Sequence, residues 1–540
     1  MSRVVTGSST TIPECLRSAA VEVPGRPAII DGDRWFSYAE LDAAATRFAS
    51  ALIARGVRAG DRAAIWAPNT AEWVIAALGM HAAGAILVPI NTRFRGAEAS
   101  YALRKVGATV LVVQDGFLDT GYLAMVRESL GSETGTAPAE RSPVPGIPTL
   151  HTVVTTDDRG DDSVWPFDRF LELADNGHSA EVDRRIATLR GKDVADILFT
   201  SGTTGYPKGA MVSHRANLVV NAAWSDMVGL EPADRYLLVN PFFHSFGYRA
   251  GILACLIRRA TMIPLPVFDV DTALRAIARE RVTVFPGAPA VYSAILAHPR
   301  LADYDIGSVR LAVTGATVVP VPLLRSMRTE LGFRDVITAY GLTETCGTVT
   351  VCPPDTDEDR LSTSCGKAIP GTEVIVVDAA NQRLPAGETG EILVRGDNVM
   401  LGYYADQDAT DAAIDSAGWL RTGDIGWLDS DGYLRVTDRL KDMFVVGGFN
   451  VYPAEVERLL AEHPAVSEVA VVGMPDERLG EVGHAYVVRR RGVEPTEDEL
   501  IEHCRAIMAN FKVPRKVSFC PELPRTASGK VQKFRLGAAG

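Results

Sequence analysis

The amino-acid sequence predicts an α/β protein: a large N-terminal domain of helix-covered parallel sheets with a β subdomain, followed by a small α+β C-terminal domain. Three observations support this prediction. The chain has 540 residues, more than a single hydrophobic core usually supports. Through most of it, short apolar runs alternate with amphipathic segments, which is typical of parallel strands joined by helices. Later in the chain the strands become shorter and are separated by glycine turns.

The same changes of pattern give the expected domain boundaries. We expect the large domain to cover residues 1–440, with the β subdomain at 371–437, and the small domain to cover residues 441–540. We expect the small domain to be mobile relative to the large one. Residues 131–164 are rich in Gly, Pro, Ser and Thr and have no period, so we predict a surface excursion there.

Hydrophobic spacing predicts the individual elements in chain order. Helices are predicted at 38–55, 71–81, 218–227, 271–281, 290–298, 321–331, 453–462 and 497–508. Strands are predicted at 63–66, 85–88, 110–113, 194–199, 236–239, 261–263, 282–285, 311–313, 336–338, 373–377, 391–394, 469–472 and 485–488.

The composition excludes several classes of protein. Hydrophobic residues make up 47% and charged residues 23%, as in ordinary globular proteins. The formal net charge of −12 argues against a nucleic-acid-binding protein, whose binding surface would be basic. No apolar run is long enough for a membrane span, and the first residues lack the apolar core of a secretory signal. We therefore expect a cytoplasmic protein with small-molecule partners, and a homodimer is one assembly that the sequence allows.

The seven cysteines form no Cys-x-x-Cys pair. A zinc site built from Cys346, Cys352 and Cys365 is conceivable, but no histidine lies nearby in the sequence. Reduced thiols are the interpretation that we favour.

Residues 200–209, TSGTTGYPKG, are the most informative stretch. They follow a predicted buried strand, and a loop there would offer backbone N–H groups, hydroxyls and the Lys208 cation to a phosphate. The spacing does not fit the P-loop of nucleotide triphosphatases, because Pro207 precedes the lysine and Gly209 stands where Ser or Thr is required. The simpler interpretation is a polar turn.

Five further stretches carry polar residues that a fold by itself does not require. They are YGLTE at 340–344, RTGD at 421–424, DRLKD at 438–442, GGFNVYPAE at 447–455 and PRTASGK at 524–530. The first ends a predicted strand, where open α/β sheets bind ligands. There, Tyr340 could stack on a base and Glu344 could hold a divalent cation. Asp424 stands beside a predicted turn and could accept from sugar hydroxyls. Taken singly, each stretch could equally be a core aromatic, a turn or a solvated segment.

Together and in this order, these motifs resemble the adenylate-forming superfamily of acyl- and aryl-CoA synthetases, firefly luciferase and peptide-synthetase adenylation domains. The resemblance covers nearly the whole chain, from the helix at Tyr38 to Lys530. It implies an acid–thiol ligase that uses ATP, Mg²⁺ and CoA. A carboxylate would first form acyl-AMP and release pyrophosphate, and a thiolate would then expel AMP.

The resemblance implies roles for residues at the nucleotide. Thr200 and Glu344 match positions that bind Mg²⁺, directly or through water. Thr343 matches a hydroxyl near the α-phosphate, and Asp424 matches the ribose-binding carboxylate, with Arg439 as its companion. The nucleotide site is expected to contain Thr200, Ser201, Gly202, Thr203, Thr204, Lys208, Gly315, Ala316, Ala339, Tyr340, Gly341, Thr343, Asp424, Arg439 and Lys530.

The resemblance also implies roles for the small domain. Lys530 matches the lysine that bridges the substrate carboxylate and the α-phosphate, and Lys441 matches the hinge about which the domain swings. These two lysines join Glu344 and Thr343 as the expected catalytic residues. The segment Gly447, Gly448 and Phe449 is expected to border the channel for CoA. A tight turn is the alternative interpretation of the two glycines.

The acyl group is expected to lie among Phe243, His244, Tyr248, Gly315 and Gly341. His244 matches the family's gating residue, although a buried structural histidine is an equal alternative. The segment around His244 most resembles actinobacterial ligases for bulky polycyclic acids, including a steroid-derived indanedione propanoate. Diterpenoid acids would suit such a pocket equally well.

Other functions remain open at this stage. A medium-chain fatty acid or an aryl acid is an alternative substrate. An enzyme that passes acyl-AMP to a partner protein is an alternative in mechanism. A non-catalytic binding relative is a third possibility, which the intact set of Thr200, Glu344, Asp424 and Lys530 argues against.

Overall fold

The computed structural model describes residues 9–131, 144, 146–157, 163–200, 207–315, 319–439, 442–446, 449–476, 478–508, 510–525 and 531–537. Within these residues the chain forms four β-sheets. Two are large and mostly parallel, one is a four-stranded antiparallel sheet, and one belongs to the C-terminal part.

The first large sheet has eight strands. In spatial order they are Gly402–Tyr403, Lys208–Ser213, Val194–Thr200, Ile86–Pro89, Arg62–Trp66, Val110–Val113, Thr152–Thr155 and Trp165–Pro166. The pairing is parallel from Val194–Thr200 to Trp165–Pro166 and antiparallel at the other end of the sheet. The prediction of parallel sheets is therefore correct for the centre of the sheet and incomplete for its edge.

The second large sheet has nine strands. In spatial order they are Lys367–Ala368, Thr350–Val351, Asp335–Tyr340, Leu311–Gly315, Val284–Pro286, Arg235–Leu238, Thr261–Pro264, Pro27–Asp31 and Arg34–Ser37. Its six central strands are parallel, and an antiparallel strand or pair closes each side.

The two smaller sheets lie later in the chain. The antiparallel sheet consists of Thr372–Val377, Gly390–Gly396, Leu420–Leu428 and Leu434–Arg439, which confirms the predicted antiparallel strands. The C-terminal sheet consists of Phe449–Val451, Phe444–Val446, Gly480–Arg489, Val466–Asp476 and Lys516–Phe519.

The α-helices connect and cover these sheets. They are Ile12–Glu22, Tyr38–Ala54, Ala71–Ala82, Gly96–Val106, Tyr122–Gly131, Phe167–Glu172, Ser179–Thr188, His214–Met227, Ser245–Gly247, Ala254–Arg258, Val270–Glu280, Pro289–Leu296, Val321–Thr329, Glu358–Thr363, Gln407–Ala413, Pro453–Ala461, Glu497–Ile507 and Lys533–Gly537. A π-helical turn spans Tyr248–Leu253, and 3₁₀ turns span Phe117–Asp119, Leu173–Asn176, Leu301–Asp303 and Thr343–Thr345.

The largest core lies between the two large sheets, and strand geometry explains how. Successive side chains of a strand point to opposite faces. Val110 and Val112 therefore join the central core, whereas Leu111 and Val113 join a second core on the other face. The helix Ala71–Ala82 lies in the central layer with eleven of its twelve residues buried. A third core covers the outer face of the nine-stranded sheet, which gives helix and sheet layers in alternation.

Three local predictions are wrong. Residues 200–209 were expected to be one loop, but Lys208 and Gly209 already belong to a strand that pairs with Val194–Thr200. The predicted surface excursion at 131–164 contains the buried strand Thr152–Thr155. Residues 371–437 were expected to form the β subdomain, but the strand Gly402–Tyr403 within this range pairs with the eight-stranded sheet. Strands of two to four residues carry too little periodicity to be recognised in a sequence.

All seven cysteines are free thiols. Among the residues that the structure describes, no three His, Cys, Asp or Glu side chains are grouped so that they could hold a metal ion, so the conceivable zinc site is not formed there. No described helix combines the length and the apolar character that crossing a bilayer requires.

Two histidines lie in the central core. His81 and His214 pack edge to face with their ring centroids 5.4 Å apart, and both side chains are inaccessible to solvent. Burial lowers the pKa of His214 to about 4 and places the pKa of His81 well below its usual value. Nδ1 of His214 accepts from the backbone N–H of Ile12 at 3.4 Å, so this ring is held as the neutral form.

We expect the free energy of unfolding to fall as the pH drops from 6.5 towards 4. In this window the unfolded chain binds protons that the folded chain excludes, so acid favours unfolding. From the pKa of His214, about 4 against about 6.5 when unfolded, this residue alone should contribute about 2 kcal/mol between pH 7.5 and pH 5. Urea unfolding at both pH values is the measurement.

His214→Gln keeps a hydrogen-bond acceptor and cannot titrate, so it should reduce the pH dependence by that amount. His178→Gln, at a partly exposed position, should leave the pH dependence unchanged. An equal pH dependence in His214→Gln and the wild-type protein would contradict this account.

Candidate active site

The strand pair Val194–Thr200 and Lys208–Ser213 forms one wall of the candidate site. Thr200 and Lys208 are register partners, and the Thr200 hydroxyl donates to the Lys208 carbonyl at 3.4 Å. The next position in the strand is glycine for a packing reason, because a Cβ on Gly209 would lie 2.6 Å from Ile197 Cγ2. The predicted phosphate-binding residues Ser201, Gly202, Thr203 and Thr204 lie outside the described residues.

A second segment, residues 400–404, lies alongside the strand Lys208–Ser213 and connects it to the loop that carries Glu344. The N–H of Leu401 donates to the carbonyl of Met211, and the N–H of Tyr404 donates to the carbonyl of Gly209, both at 2.8 Å. In the same segment, the N–H of Met400 donates to the carbonyl of Glu344 at 2.8 Å. Residues 400–404 therefore connect the strand that carries Lys208 to the loop that carries Glu344.

Tyr403 connects the side chains of the two parts. Its hydroxyl donates to Glu344 Oε1 at 2.9 Å, and Lys208 Nζ lies 5.1 Å from the centre of its ring. Burial, and then the charge of Glu344, raise the pKa of Tyr403, so the phenol remains a donor. These contacts connect Thr200, Lys208, Tyr403 and Glu344 in one group. The group contains one cation and several side-chain oxygens that could bind a metal ion. Sequence reasoning missed Tyr403, because its strand of two residues was not recognised.

The oxygen donors of this group fit Mg²⁺. Magnesium in nucleotide enzymes is usually held by one or two carboxylates together with substrate phosphates, and the remaining positions are filled by water. Glu344 supplies a carboxylate, and Thr200 supplies a hydroxyl at the end of the neighbouring strand.

A second group of predicted residues lies at the ends of two parallel strands. Gly315 and Ala339 are register partners at the carboxyl ends of their strands, and a Cβ on Gly315 would lie 3.0 Å from the Ala339 carbonyl oxygen. Tyr340 follows, and its hydroxyl donates to Asp424 Oδ2 at 2.5 Å. Burial and the Asp424 carboxylate raise the pKa of Tyr340 well above its usual value. Ala316 lies outside the described residues.

Asp424 lies within a strand, whereas the sequence placed it beside a turn. The strand is Leu420–Leu428, and Asp424 is the register partner of Arg439 in the strand Leu434–Arg439. Gly423 has φ +67°, which residues other than glycine rarely adopt. Glycines of this kind are common in turns, which is why the sequence suggested a turn here. Asp424 and Arg439 are thus neighbours across two strands, and their role at the ribose stays a prediction.

His244 lies at the predicted acyl side with its ring reachable by solvent. Its Nδ1 accepts from the N–H of Phe246 at 3.2 Å, so the proton of the neutral ring is on Nε2. The surrounding protein and then the charge of Arg249 lower the pKa of His244 to about 4. The ring is therefore neutral, with Nε2 as its donor. The buried amide of Asn69 holds this segment by accepting from the Phe242 N–H at 2.9 Å.

Two other predicted acyl-pocket residues have clear structural roles. Tyr248 is fully buried, and its hydroxyl lies 2.7 Å from His81 Nε2, so its side chain belongs to the core and does not line a pocket. Gly341 is required by a close approach, because a Cβ there would lie 2.3 Å from the carbonyl oxygen of Gly347. Phe243 is partly exposed next to His244.

A buried ion pair supports the loop that carries Thr343 and Glu344. Arg249 donates from Nη2 to Asp196 Oδ1 at 2.5 Å and from Nη1 to the Thr343 carbonyl at 3.1 Å. Asp196 also accepts from Asn217 Nδ2 at 2.6 Å. Sequence reasoning treated Asp196 as part of an apolar strand and assigned no role to Arg249.

The predicted residues of the small domain are described only in part. Lys441, Gly447, Gly448 and Lys530 lie outside the described residues. Phe449 begins the strand Phe449–Val451 and is the register partner of Val446.

Comparison with known proteins agrees with this geometry. The family described as AMP-binding enzyme matches residues 16–404, and the AMP-binding enzyme C-terminal domain matches residues 455–530. The chain is 48% identical to 3-[(3aS,4S,7aS)-7a-methyl-1,5-dioxo-octahydro-1H-inden-4-yl]propanoyl:CoA ligase from Rhodococcus jostii, over 98% of each chain. It is 46% identical to the protein of that name from Mycobacterium tuberculosis, over 98% of this chain and 99% of the other.

A solved structure gives the same result for the fold. The crystal structure of ATP-bound MatB from Rhodopseudomonas palustris superposes with a TM-score of 0.84 at 31% identity, over 98% of each chain. The chain therefore belongs to the AMP-binding enzyme family of adenylate-forming enzymes, and it is an acid–thiol ligase that uses ATP, Mg²⁺ and CoA.

Proposed function

We propose that this enzyme converts a bulky polycyclic carboxylic acid into its CoA thioester through an acyl-AMP intermediate. The observation that carries the chemistry is the group of Lys208, Tyr403 and Glu344 beside Thr200, because it offers cationic and oxygen donors at one edge of the sheet. The substrate class is supported by the two relatives at 48% and 46% identity, which are named for a fused-ring propanoic acid.

In the first step, a carboxylate oxygen of the acid attacks the α-phosphorus of ATP, and the bond to pyrophosphate breaks. Both reactants are anions, so the enzyme acts mainly by positioning and by charge neutralisation. We propose that Lys208 and Ser201–Thr204 hold the β- and γ-phosphates. Glu344 and Thr200 would hold Mg²⁺, which when bound neutralises phosphate charge. Lys530 would bridge the carboxylate and the α-phosphate.

The nucleoside would bind at the second group of residues. We propose that adenine lies against Tyr340 between Gly315, Ala316, Ala339 and Gly341. Asp424 would accept from the ribose hydroxyls, with Arg439 next to it. Tyr340 donates to Asp424 Oδ2, which orients the carboxylate. Thr343 would donate to the α-phosphate.

In the second step, the CoA thiolate attacks the acyl carbonyl carbon, and the bond to AMP breaks. Lys530 would obstruct the thiol, so we propose that residues 441–540 rotate as one domain about Lys441 relative to residues 1–440. Gly447, Gly448 and Phe449 would then border the pantetheine. The separate hydrophobic core of Phe444, Val471, Val487, Leu500 and Val517 supports a unit that moves as a body.

The acyl group would lie next to Phe243 and His244. A neutral His244 with its proton on Nε2 suits a gating or lining role, since no catalytic base is needed for either step. We propose a steroid-derived acid as the first candidate and a diterpenoid acid as the second. A medium-chain fatty acid and an aryl acid are the alternatives that a substrate panel distinguishes. We further propose that the enzyme acts in the cytoplasm, and sedimentation will distinguish a monomer from a homodimer.

The acid-dependent exchange of pyrophosphate into ATP tests the proposed function. We expect exchange with the fused-ring propanoate named for the relatives to exceed exchange with a diterpenoid acid, octanoate or benzoate. Addition of CoA should then release AMP and form a thioester. Exchange without CoA-dependent AMP release would favour transfer to a partner protein, and the absence of exchange with every acid would refute the proposal.

Lys530→Ala separates the two steps. We expect adenylate formation to fall by about 100- to 1000-fold, since one preorganised charge contact at the reacting atoms is lost. Thioester formation from supplied acyl-AMP should be largely retained. Lys516→Ala removes an exposed lysine of the same part of the chain and should change neither step. Equal losses in both steps for Lys530→Ala would contradict the swinging-domain proposal.

Tyr403→Phe tests the contact with Glu344. The variant retains a ring next to Lys208 but loses the hydroxyl that orients the carboxylate. We expect the Mg²⁺ concentration for half-maximal pyrophosphate exchange to rise by about tenfold or more, as for other partners of metal ligands. Tyr404→Phe is the matched control, because the Tyr404 hydroxyl donates to the Val106 carbonyl instead. An unchanged Mg²⁺ requirement in Tyr403→Phe would show that this hydroxyl does not position Glu344.

A further inference from the structure

Arg249 is a charged residue in the interior of the large domain. Its side chain is 1% exposed and that of Asp196 is fully buried, with Nη2 to Oδ1 at 2.5 Å. A second donor, Nη1, is 3.1 Å from the carbonyl oxygen of Thr343. Nε has no partner among the residues that the structure describes. One guanidinium therefore bridges a strand and the loop that carries Glu344.

The pair joins three parts of the proposed site. Asp196 lies in the strand that ends at Thr200, and Thr343 directly precedes Glu344. Arg249 lies in the π-helical turn Tyr248–Leu253, which begins four residues after His244. π-Helical turns are rare and are often found at functional sites. Arg249 thus connects the segments that carry Thr200, Glu344 and His244.

Stability alone gives a weak reason for such a pair. Bringing two charges out of water costs several kcal/mol per ion, and apolar residues of similar volume are often as stable. The remaining oxygen of Asp196 accepts from Asn217 Nδ2 at 2.6 Å, so both carboxylate oxygens have partners, whereas the Nε of the arginine has none among the described residues. The two contacts that the guanidinium makes are with the Asp196 carboxylate and the Thr343 carbonyl.

We propose that Arg249 is a positioning residue for adenylate formation: anchored by Asp196, it holds the Thr343 carbonyl and so fixes Glu344 relative to the strand that ends at Thr200. The inference rests on the proposed function. The opposite side of the same peptide segment is held by the Met400 N–H, which donates to the Glu344 carbonyl, and the Glu344 side chain is held by Tyr403. Arg249 supplies a contact from the segment that also carries His244.

A double variant separates positioning from stability. Arg249→Met alone would leave Asp196 as an uncompensated buried charge, so we combine it with Asp196→Asn, which removes both charges together. We expect the double variant to unfold at a temperature close to that of the wild-type enzyme. Its kcat for pyrophosphate exchange should fall by about 10- to 100-fold and its Mg²⁺ requirement should rise by about tenfold, as for residues that support metal ligands. The KM for the acid should remain near the wild-type value.

The control is another arginine–aspartate pair, in which Asp234 is buried and Arg310 is partly exposed. Arg310 binds Asp234 through two nitrogens and donates from Nη2 to the carbonyl of Gly229 at 2.8 Å. Both residues precede strands of the nine-stranded sheet and so lie at the opposite end from the proposed site. Arg310→Met with Asp234→Asn should leave the kcat and the Mg²⁺ requirement unchanged. Arg249→Lys keeps the charge next to Asp196 but not the planar double contact, and it should show the same losses as the Arg249 double variant.

The outcomes are distinct. A folded Arg249 double variant with wild-type kcat and Mg²⁺ requirement would overturn the proposal, and so would equal losses in the Arg310 control. If the double variant does not fold, Arg249→Lys decides in the same way, by its kcat and Mg²⁺ requirement. Because the wild-type enzyme is assayed with the same acid, failure of the proposed function would appear as no exchange in the wild type. Failure of the Arg249 proposal would appear only in the variants.

Discussion

The pairing of Gly402–Tyr403 with the strand Lys208–Ser213 is the interaction on which the arrangement of the site depends. It is a short antiparallel contact, and the hydrogen bonds on either side of it continue to Gly209 and to the Glu344 carbonyl. The strand that carries Lys208 belongs to the eight-stranded sheet, and the loop that carries Glu344 follows a strand of the nine-stranded sheet, so this contact joins the two sheets at the site. Tyr403 then contacts Lys208 with its ring and Glu344 with its hydroxyl.

The layered core makes this arrangement rigid. Two sheets share one layer of helices, and the helix Ala71–Ala82 is buried on nearly all sides between them. Because close-packed interiors resist small displacements, strands of different sheets keep a fixed relation at their ends. Preorganised groups of this kind are effective in catalysis because they need no rearrangement when charge develops. Arg249 and Asp196 add a contact of this kind in the interior. Asp196 lies in a strand of the eight-stranded sheet, and the Thr343 carbonyl that Arg249 contacts lies in the loop after a strand of the nine-stranded sheet.

Much of the fold could be predicted from the sequence because long elements carry a strong period. The helices at Tyr38–Ala54 and Ala71–Ala82 agree with the predicted ranges to within one residue at each end. The central strand Val110–Val113 agrees at both ends. Thr152–Thr155 and Gly402–Tyr403 could not be predicted, because their pairing depends on partners far away in the chain. Lys208 was predicted to be a residue of the site, but it was not predicted to be part of a strand.

The sequence by itself determined the family and the chemical types of the site, because the order and spacing of polar residues around glycines are local properties of the chain. It indicated Thr200, Lys208, Tyr340, Glu344 and Asp424. Only the tertiary structure decided which groups touch: Tyr340 with Asp424, Tyr403 with Glu344, and Arg249 with Asp196. The partners in these contacts are 84, 59 and 53 residues apart. Packing of whole sheets and helices brings such residues together, and no local pattern encodes it.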